Sequence, residues 1–138
     1  MSTLIPQGFR AAGVHSGVKR NPTRQDLALI VSDRAAAAAG VFTQNQVQAA
    51  SVHWNRARVP ADSVRAVVIN SGNANACTGD QGHQDTAEMA RLAAVAVSTD
   101  DDPVTPEQVL VLSTGIIGEH LPMDRIAAGI QAAAGGLA

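Results

Sequence analysis

Apolar positions along this chain fall into short unbroken runs and into stripes of helical spacing, and the two patterns alternate. Asp26 to Asp33 (D-L-A-L-I-V-S-D), Val64 to Asn70 (V-R-A-V-V-I-N) and Val109 to Leu112 (V-L-V-L) are runs bounded by polar residues or glycine. Runs of this length, rich in Val, Ile and Leu, predict buried strands. From about Asp85 to Ser98 the spacing changes. Met89, Leu92, Ala93 and Ala96 fall at i, i+3, i+4 and i+7, and Glu88 can pair with Arg91 at i, i+3, so a helix is expected. Pro122 to Ala134 repeats the pattern with Met123, Ile126 and Ile130 on one side. Pro122 suits a first helical turn and Asp124 the positive helix end.

Other stretches are less decided. Gly8, Gly13 and Gly17 alternate with Phe9, Val14 and Val18, which reads as one or two short strands with turns, and Asn21-Pro22-Thr23 reads as a loop. The five alanines within Arg34–Gly40 favour helix by propensity. Val41-Phe42-Thr43 behind Gly40 favours a strand reached by a hairpin, and strand is the preferred reading. Ala49 to Trp54 fits a strand or a short helix, ended by Pro60. Thr99 to Pro106 is an acidic loop in which Asp100, Asp101 and Asp102 are expected to be solvated surface. Strands followed by strand–helix–strand–helix, without repeats or a linker, give an α/β (α+β layered) fold within one domain or part of one.

Composition narrows the function classes. Apolar residues make up 46% of the chain but many are alanine, and Phe9, Phe42 and Trp54 are its aromatic residues. An Ala/Val core buries little area per residue at about 25 cal/mol per Å², so a partner surface is expected to complete the stability. The net charge of −2 and the loose Lys19, Arg20, Arg24 cluster, followed at once by Asp26, argue against a nucleic-acid binder. No run reaches the roughly 18 to 20 apolar residues of a membrane span. The N-terminus carries no charged region followed by an apolar one, so no signal peptide is evident. Cys77 has no second cysteine to pair with, and a cytoplasmic setting is the simplest expectation.

Candidate chemistry is sparse. His15, His53, His83 and His120 have no metal-ligand spacing, with His83 and His120 expected at the surface, so no metal site is expected. Cys77 has no Cys-His signature and is expected as a small buried thiol. Ser71 and Ser113 lack a G-x-S-x-G setting, and the glycines spell neither a dinucleotide site nor a P-loop. Ser71 to Gly79, dense in small and amide residues, reads as a hydrogen-bonded scaffold loop. Ser113-Thr114-Gly115 after the buried run reads as a sharp turn. That turn is either structural or one that leaves a main-chain N–H aimed at open space, able to hold a developing negative charge.

Taken in order, Gly8-Phe9, Asp26–Ile30, A-G-V-F-T at Ala39–Thr43, N-S-G-N-A-N-A-C-T-G at Asn70–Gly79, S-T-G-I-I-G at Ser113–Gly118 and Leu121–Met123 resemble the N-terminal, α-chain portion of the ornithine acetyltransferase / glutamate N-acetyltransferase family of arginine biosynthesis. The resemblance covers nearly the whole chain, with Ser51 standing where the family commonly has proline. It implies a precursor that cleaves itself before a threonine. That threonine opens a β chain and carries acetyl from N-acetylornithine to glutamate in a ping-pong exchange; some members accept acetyl-CoA. The resemblance places the oxyanion hole at Thr114 and Gly115 and implies no cofactor. It also implies a β-chain partner in a hetero-oligomer of α and β chains. The family's T-T-D-T, K-G-S-G-M and A-T-M-L segments do not occur here, so the 138 residues are expected to form an incomplete domain, inactive alone. A non-catalytic truncated paralogue or binding subunit, and an aminopeptidase-like relative, are the competing readings. The Asn70–Gly79 motif weighs against the last.

Overall fold

The computed structural model describes residues 5–138. Its elements are β1 (Phe9–Val14), β2 (Leu27–Ala38), α1 (Ala50–Arg56), β3 (Ala61–Asn73), α2 (Gly79–Val97), a 3-10 turn (Pro106–Gln108), β4 (Val109–Ile116) and α3 (Met123–Gly135). The sheet order is β1-β2-β3-β4. The first two pairings are antiparallel, whereas β3 and β4 run parallel, joined through α2 as a crossover requires. The mixed α/β architecture expected from the chain is present, and of the two readings of Ala49–Trp54 the short helix is the one formed, as α1.

Helices α2 and α3 lie on one face of the sheet. Strand alternation directs Leu29 and Val31 of β2, Val68 of β3 and Val109 and Val111 of β4 toward them, and all are buried. Met89, Ala90 and Ala93 of α2 and Ile126, Ile130 and Ala133 of α3 meet them from above. The predicted stripes are therefore the buried faces, with Leu92, Ala96 and Met123 at their margins. Small residues let the layers approach closely. A Cβ on Gly129 of α3 would lie 2.5 Å from Ser16 Cβ and 3.1 Å from Leu27 Cδ1.

The opposite face carries Ala28, Ile30, Val67, Ile69, Leu110 and Leu112, aligned across three strands. These are half-buried or exposed, with Leu112 at 44%. Two adjoining layers thus account for one side of this sheet alone.

The outer edge of β4 is capped by side chains of α1. Trp54 Nε1 donates to Val109 O at 2.9 Å, Asn55 Nδ2 donates to Val111 O at 2.8 Å, and Val111 N donates to Asn55 Oδ1 at 3.0 Å. One asparagine thereby gives Val111 the donor and acceptor that a neighbouring strand would supply.

Several expectations need correction. The alanines after Arg34 do continue β2, but Val41-Phe42-Thr43 forms no strand, and Val41 is fully exposed. That segment is instead held by α1, with Arg56 Nη2 donating to Thr43 O at 2.8 Å. Helix α2 starts at Gly79 rather than Asp85. Asp102 is not simply solvated. It accepts from Arg65 Nη1 at 2.7 Å and Nη2 at 2.6 Å, and Arg65, buried on β3, also donates to Ser32 O. The guanidinium holds the Asp102 carboxyl below its ordinary value. The Glu88–Arg91 pair forms as expected, at 2.7 Å.

Ser113-Thr114-Gly115 is not a turn. β4 runs on through it to Ile116, and Gly72 of β3 pairs with Gly115. Gly115 has φ 136°, and a Cβ there would sit 2.3 Å from Gly72 C and 2.5 Å from Asn73 N. Two backbones touch where no side chain can intervene. Gly115→Ala should therefore cost about 2 to 3 kcal/mol from overlap and strain. Gly118→Ala, at φ 82° with nothing within 4 Å, carries strain without overlap and should cost about 1 kcal/mol. Urea denaturation of the two variants checks the order.

Asp26 generates a second prediction. Its buried carboxylate accepts from Ser16 N at 2.6 Å, Ser16 Oγ at 2.8 Å, Gly17 N at 3.2 Å and Lys19 N at 2.8 Å. Burial pushes its pKa up, but the Ser16 and Lys19 amides, the Ser16 hydroxyl and His15 together hold it below the usual value. A carboxyl lowered in the folded state stabilises above its unfolded pKa and stops doing so as pH falls through the folded value. Asp26→Asn should remove part of the stability lost between neutral pH and below pH ~4, and Asp26→Ala should cost about 2 to 4 kcal/mol at neutral pH. Urea midpoints across that range for the three proteins test both.

Candidate functional site

The parallel pair β3–β4 ends in the two small-residue segments singled out by sequence. Beyond Asn70 the chain is a hydrogen-bonded scaffold, as its composition suggested. Asn73 Nδ2 donates to Glu119 O and His120 O at 3.0 and 3.1 Å, and Asn73 Oδ1 accepts from Asn75 N at 2.8 Å. Asn75, at φ 48°, donates from Nδ2 to Gly82 O and to Thr86 Oγ1 and accepts from Thr78 Oγ1. These bonds fix the start of α2, and Ala50 N donating to Asn75 O ties in α1. Ala74 N donates to Ile116 O and Gly118 N to Ala76 O, both at 2.8 Å, so the scaffold also grips the segment after Gly115.

Against this support Thr114 and Gly115 are both exposed. Their directions follow from strand alternation. Thr114 shares the face of Leu110 and Leu112, the side that α2 and α3 leave uncovered. Val109 and Val111 turn their main-chain polar groups to the outer edge, toward Trp54 and Asn55, while Ile116 turns its carbonyl inward to Ala74. Gly115 follows with its backbone against Gly72 at φ 136°, where regular alternation ends. The Thr114 hydroxyl thus sits on the open face with exposed Gly115 next to it, without the sharp turn first expected.

Next to them, Asn70 and Ser113 are register partners across β3 and β4. Asn70 Oδ1 and Ser113 Oγ are buried without a hydrogen-bond partner among the described residues. Buried polar atoms are normally paired, so these two are exceptions within the strand pair. Sequence reasoning set Ser113 aside for lacking a G-x-S-x-G setting and did not pair it with Asn70, because that pairing lies in the register rather than in any local motif.

The other candidates fall elsewhere. Cys77 is exposed rather than buried, in a loop where its own φ is 57°. It lies with His53 and His83 along a separate cleft of about 280 Å³. The rings of those two histidines stand 5.5 Å apart. Among the described residues no group of three His, Cys, Asp or Glu side chains is placed to hold a metal ion. His15 contacts Arg24 O at 2.9 Å, and His120 is exposed. No helix among the described residues is long and apolar enough to cross a membrane.

Comparison with known proteins bears on this geometry. A profile described as the ArgJ family matches residues 10–138. The arginine biosynthesis bifunctional protein ArgJ of Symbiobacterium thermophilum is 53% identical over 133 residues, covering 96% of this chain and 32% of that protein. The protein of the same name from Rhodopirellula baltica is 48% identical over 136 residues, covering 99% and 32%. The chain therefore spans about a third of the length of these relatives. Among solved structures, ornithine acetyltransferase of Mycobacterium tuberculosis, complexed with ornithine, superposes with a TM-score of 0.91 at 45% identity, covering 96% of this chain and 69% of that one. The argJ bifunctional protein of Bacillus halodurans gives 0.82 at 41% identity, covering 91% and 62%. With matched sequence running almost end to end and the fold agreeing throughout, this chain belongs to the ArgJ family.

Proposed function

We propose that the chain is the α portion of an ornithine acetyltransferase, moving acetyl from N-acetylornithine to glutamate, with Thr114 and Gly115 as its oxyanion hole. The observation that carries this reading is the exposed Thr114–Gly115 pair at the end of β4, held by a hydrogen-bonded scaffold. The nucleophile is a threonine that opens a β chain. Its oxygen attacks the acetyl carbonyl, the C–N bond breaks, and ornithine leaves with a proton on its amine. Glutamate's amine then attacks the acetyl ester, releasing N-acetylglutamate and restoring the threonine hydroxyl. In each half-reaction the carbonyl oxygen becomes an oxyanion that accepts from Thr114 Oγ1–H and Gly115 N–H. Each such donor lowers the barrier by about 3 to 4 kcal/mol.

The uncovered sheet face supports a partner chain. Its aligned Ile30, Val67, Ile69, Leu110 and Leu112, with Ile116 and Ile117 at 55% and 64% exposure, suit a second sheet stacked about 10 Å away. That face also carries Thr114, so the layer that covers it brings its own residues to the donors. The assembly is a hetero-oligomer of α and β chains working in the cytoplasm, and the α portion by itself is inactive.

Co-expression with a family β portion should restore acetyl exchange between N-acetylornithine and glutamate. A tight but inactive pair would indicate a binding subunit instead, and peptide hydrolysis would indicate an aminopeptidase relative. In the completed enzyme Thr114→Ala should lower kcat about 100- to 1000-fold with little change in KM. A change confined to KM would remove the oxyanion role. Steady-state kinetics with each substrate separates the two.

A further inference from the structure

The basic residues near the N-terminus have no part in the reading above. In sequence, Lys19, Arg20 and Arg24 look neutralised by Asp26. In the fold they are not, because Asp26 is turned inward, its carboxylate occupied by the amides of Ser16, Gly17 and Lys19. The loop wraps around that buried acid and presents its own cations outward. They line a cleft of about 650 Å³ between this loop and the ends of β3 and β4, which Thr114 and Gly115 do not line.

A fourth cation arrives from the far end of the chain. Arg125 of α3 lines the same cleft, anchored by Nη1 donating to Gly17 O at 2.8 Å. Four of the ten Lys and Arg residues of a chain with net charge −2 thus converge on one concavity. Glu119 is the acid among its lining residues, with His120 beside it. Like charges around one concavity repel one another and favour an anion among them, and the field in a concave site is focused rather than spread. A single carboxylate would leave most of that charge uncompensated. The volume lies within the range of small-molecule sites and exceeds what an inorganic ion fills. Guanidinium forks match phosphate oxygens in pairs.

We propose that this cleft binds a diphosphate-bearing small molecule, its phosphates held by Arg20, Arg24, Arg125 and Lys19. Isothermal titration of the full chain at low ionic strength, with sodium pyrophosphate, ADP and glutarate as probes, tests it. Both phosphate compounds should bind at least tenfold more tightly than glutarate. ADP binding more tightly than pyrophosphate would identify a nucleotide ligand; equal binding would identify the diphosphate itself as sufficient. Arg20→Gln and Arg24→Gln, both at exposed positions, should each weaken binding about tenfold, while Arg34→Gln, exposed on β2, should leave it unchanged. Absence of phosphate binding at millimolar concentration, equal or tighter binding of glutarate, or equal loss in the Arg34 variant would overturn the proposal.

Discussion

The contact on which this structure turns is backbone against backbone, where Gly115 rests on Gly72 with no room for a Cβ. Parallel pairing of β3 with β4 brings the two glycines together, and α2 is the crossover that makes the pairing parallel. Because the strands stay in contact to their ends, the segments after them are drawn together as well. Asn73, Asn75 and Ala76 then stitch that junction to α1, α2 and the start of the last loop. Thr114 and Gly115, both exposed, are thereby held by something stiffer than a loop.

Most of the layered framework was legible in the sequence, since burial imposes a period and the period is visible. The runs around Leu29, Val68 and Val111 and the stripes through Met89 and Ile130 became core at the expected positions. What was not legible depends on residues distant in sequence. Ser-Thr-Gly reads locally as a bend; it stays extended because Gly72, on another strand, receives it. Asp102 reads as solvated until Arg65 is placed opposite. Asp26 reads as a counter-ion to its neighbours, whereas the fold assigns it to main-chain amides. The start of α2 was set too late because Asp80 to Gln84 carries no apolar stripe, and its position is fixed instead by the Asn75 and Thr78 side chains. At the candidate site Thr114 and Gly115 were named from the motif, but the Asn70–Ser113 pair was invisible without the register.

The two faces of the sheet divide the labour of the fold. Toward α2 and α3 the packing is dense and alanine-rich, which suits helices lying close to strands. Toward the other side the chain offers aliphatic residues in register with little above them. A scarcity of aromatic side chains means that neither face gains much area from any one residue, so stability must come from extended, well-matched layers.

The asparagine at position 55 has a consequence for how the molecule behaves in company. A bare strand margin invites another polypeptide to add itself and so seeds runaway assembly. By imitating a neighbour with one amide group, and with Trp54 beside it, the helix occupies the first half of that margin and denies it to intruders. What lies beyond it, from Ser113 to Gly115, is too brief to template a further strand. The molecule is thus guarded against its own kind along the margin that would otherwise be most inviting.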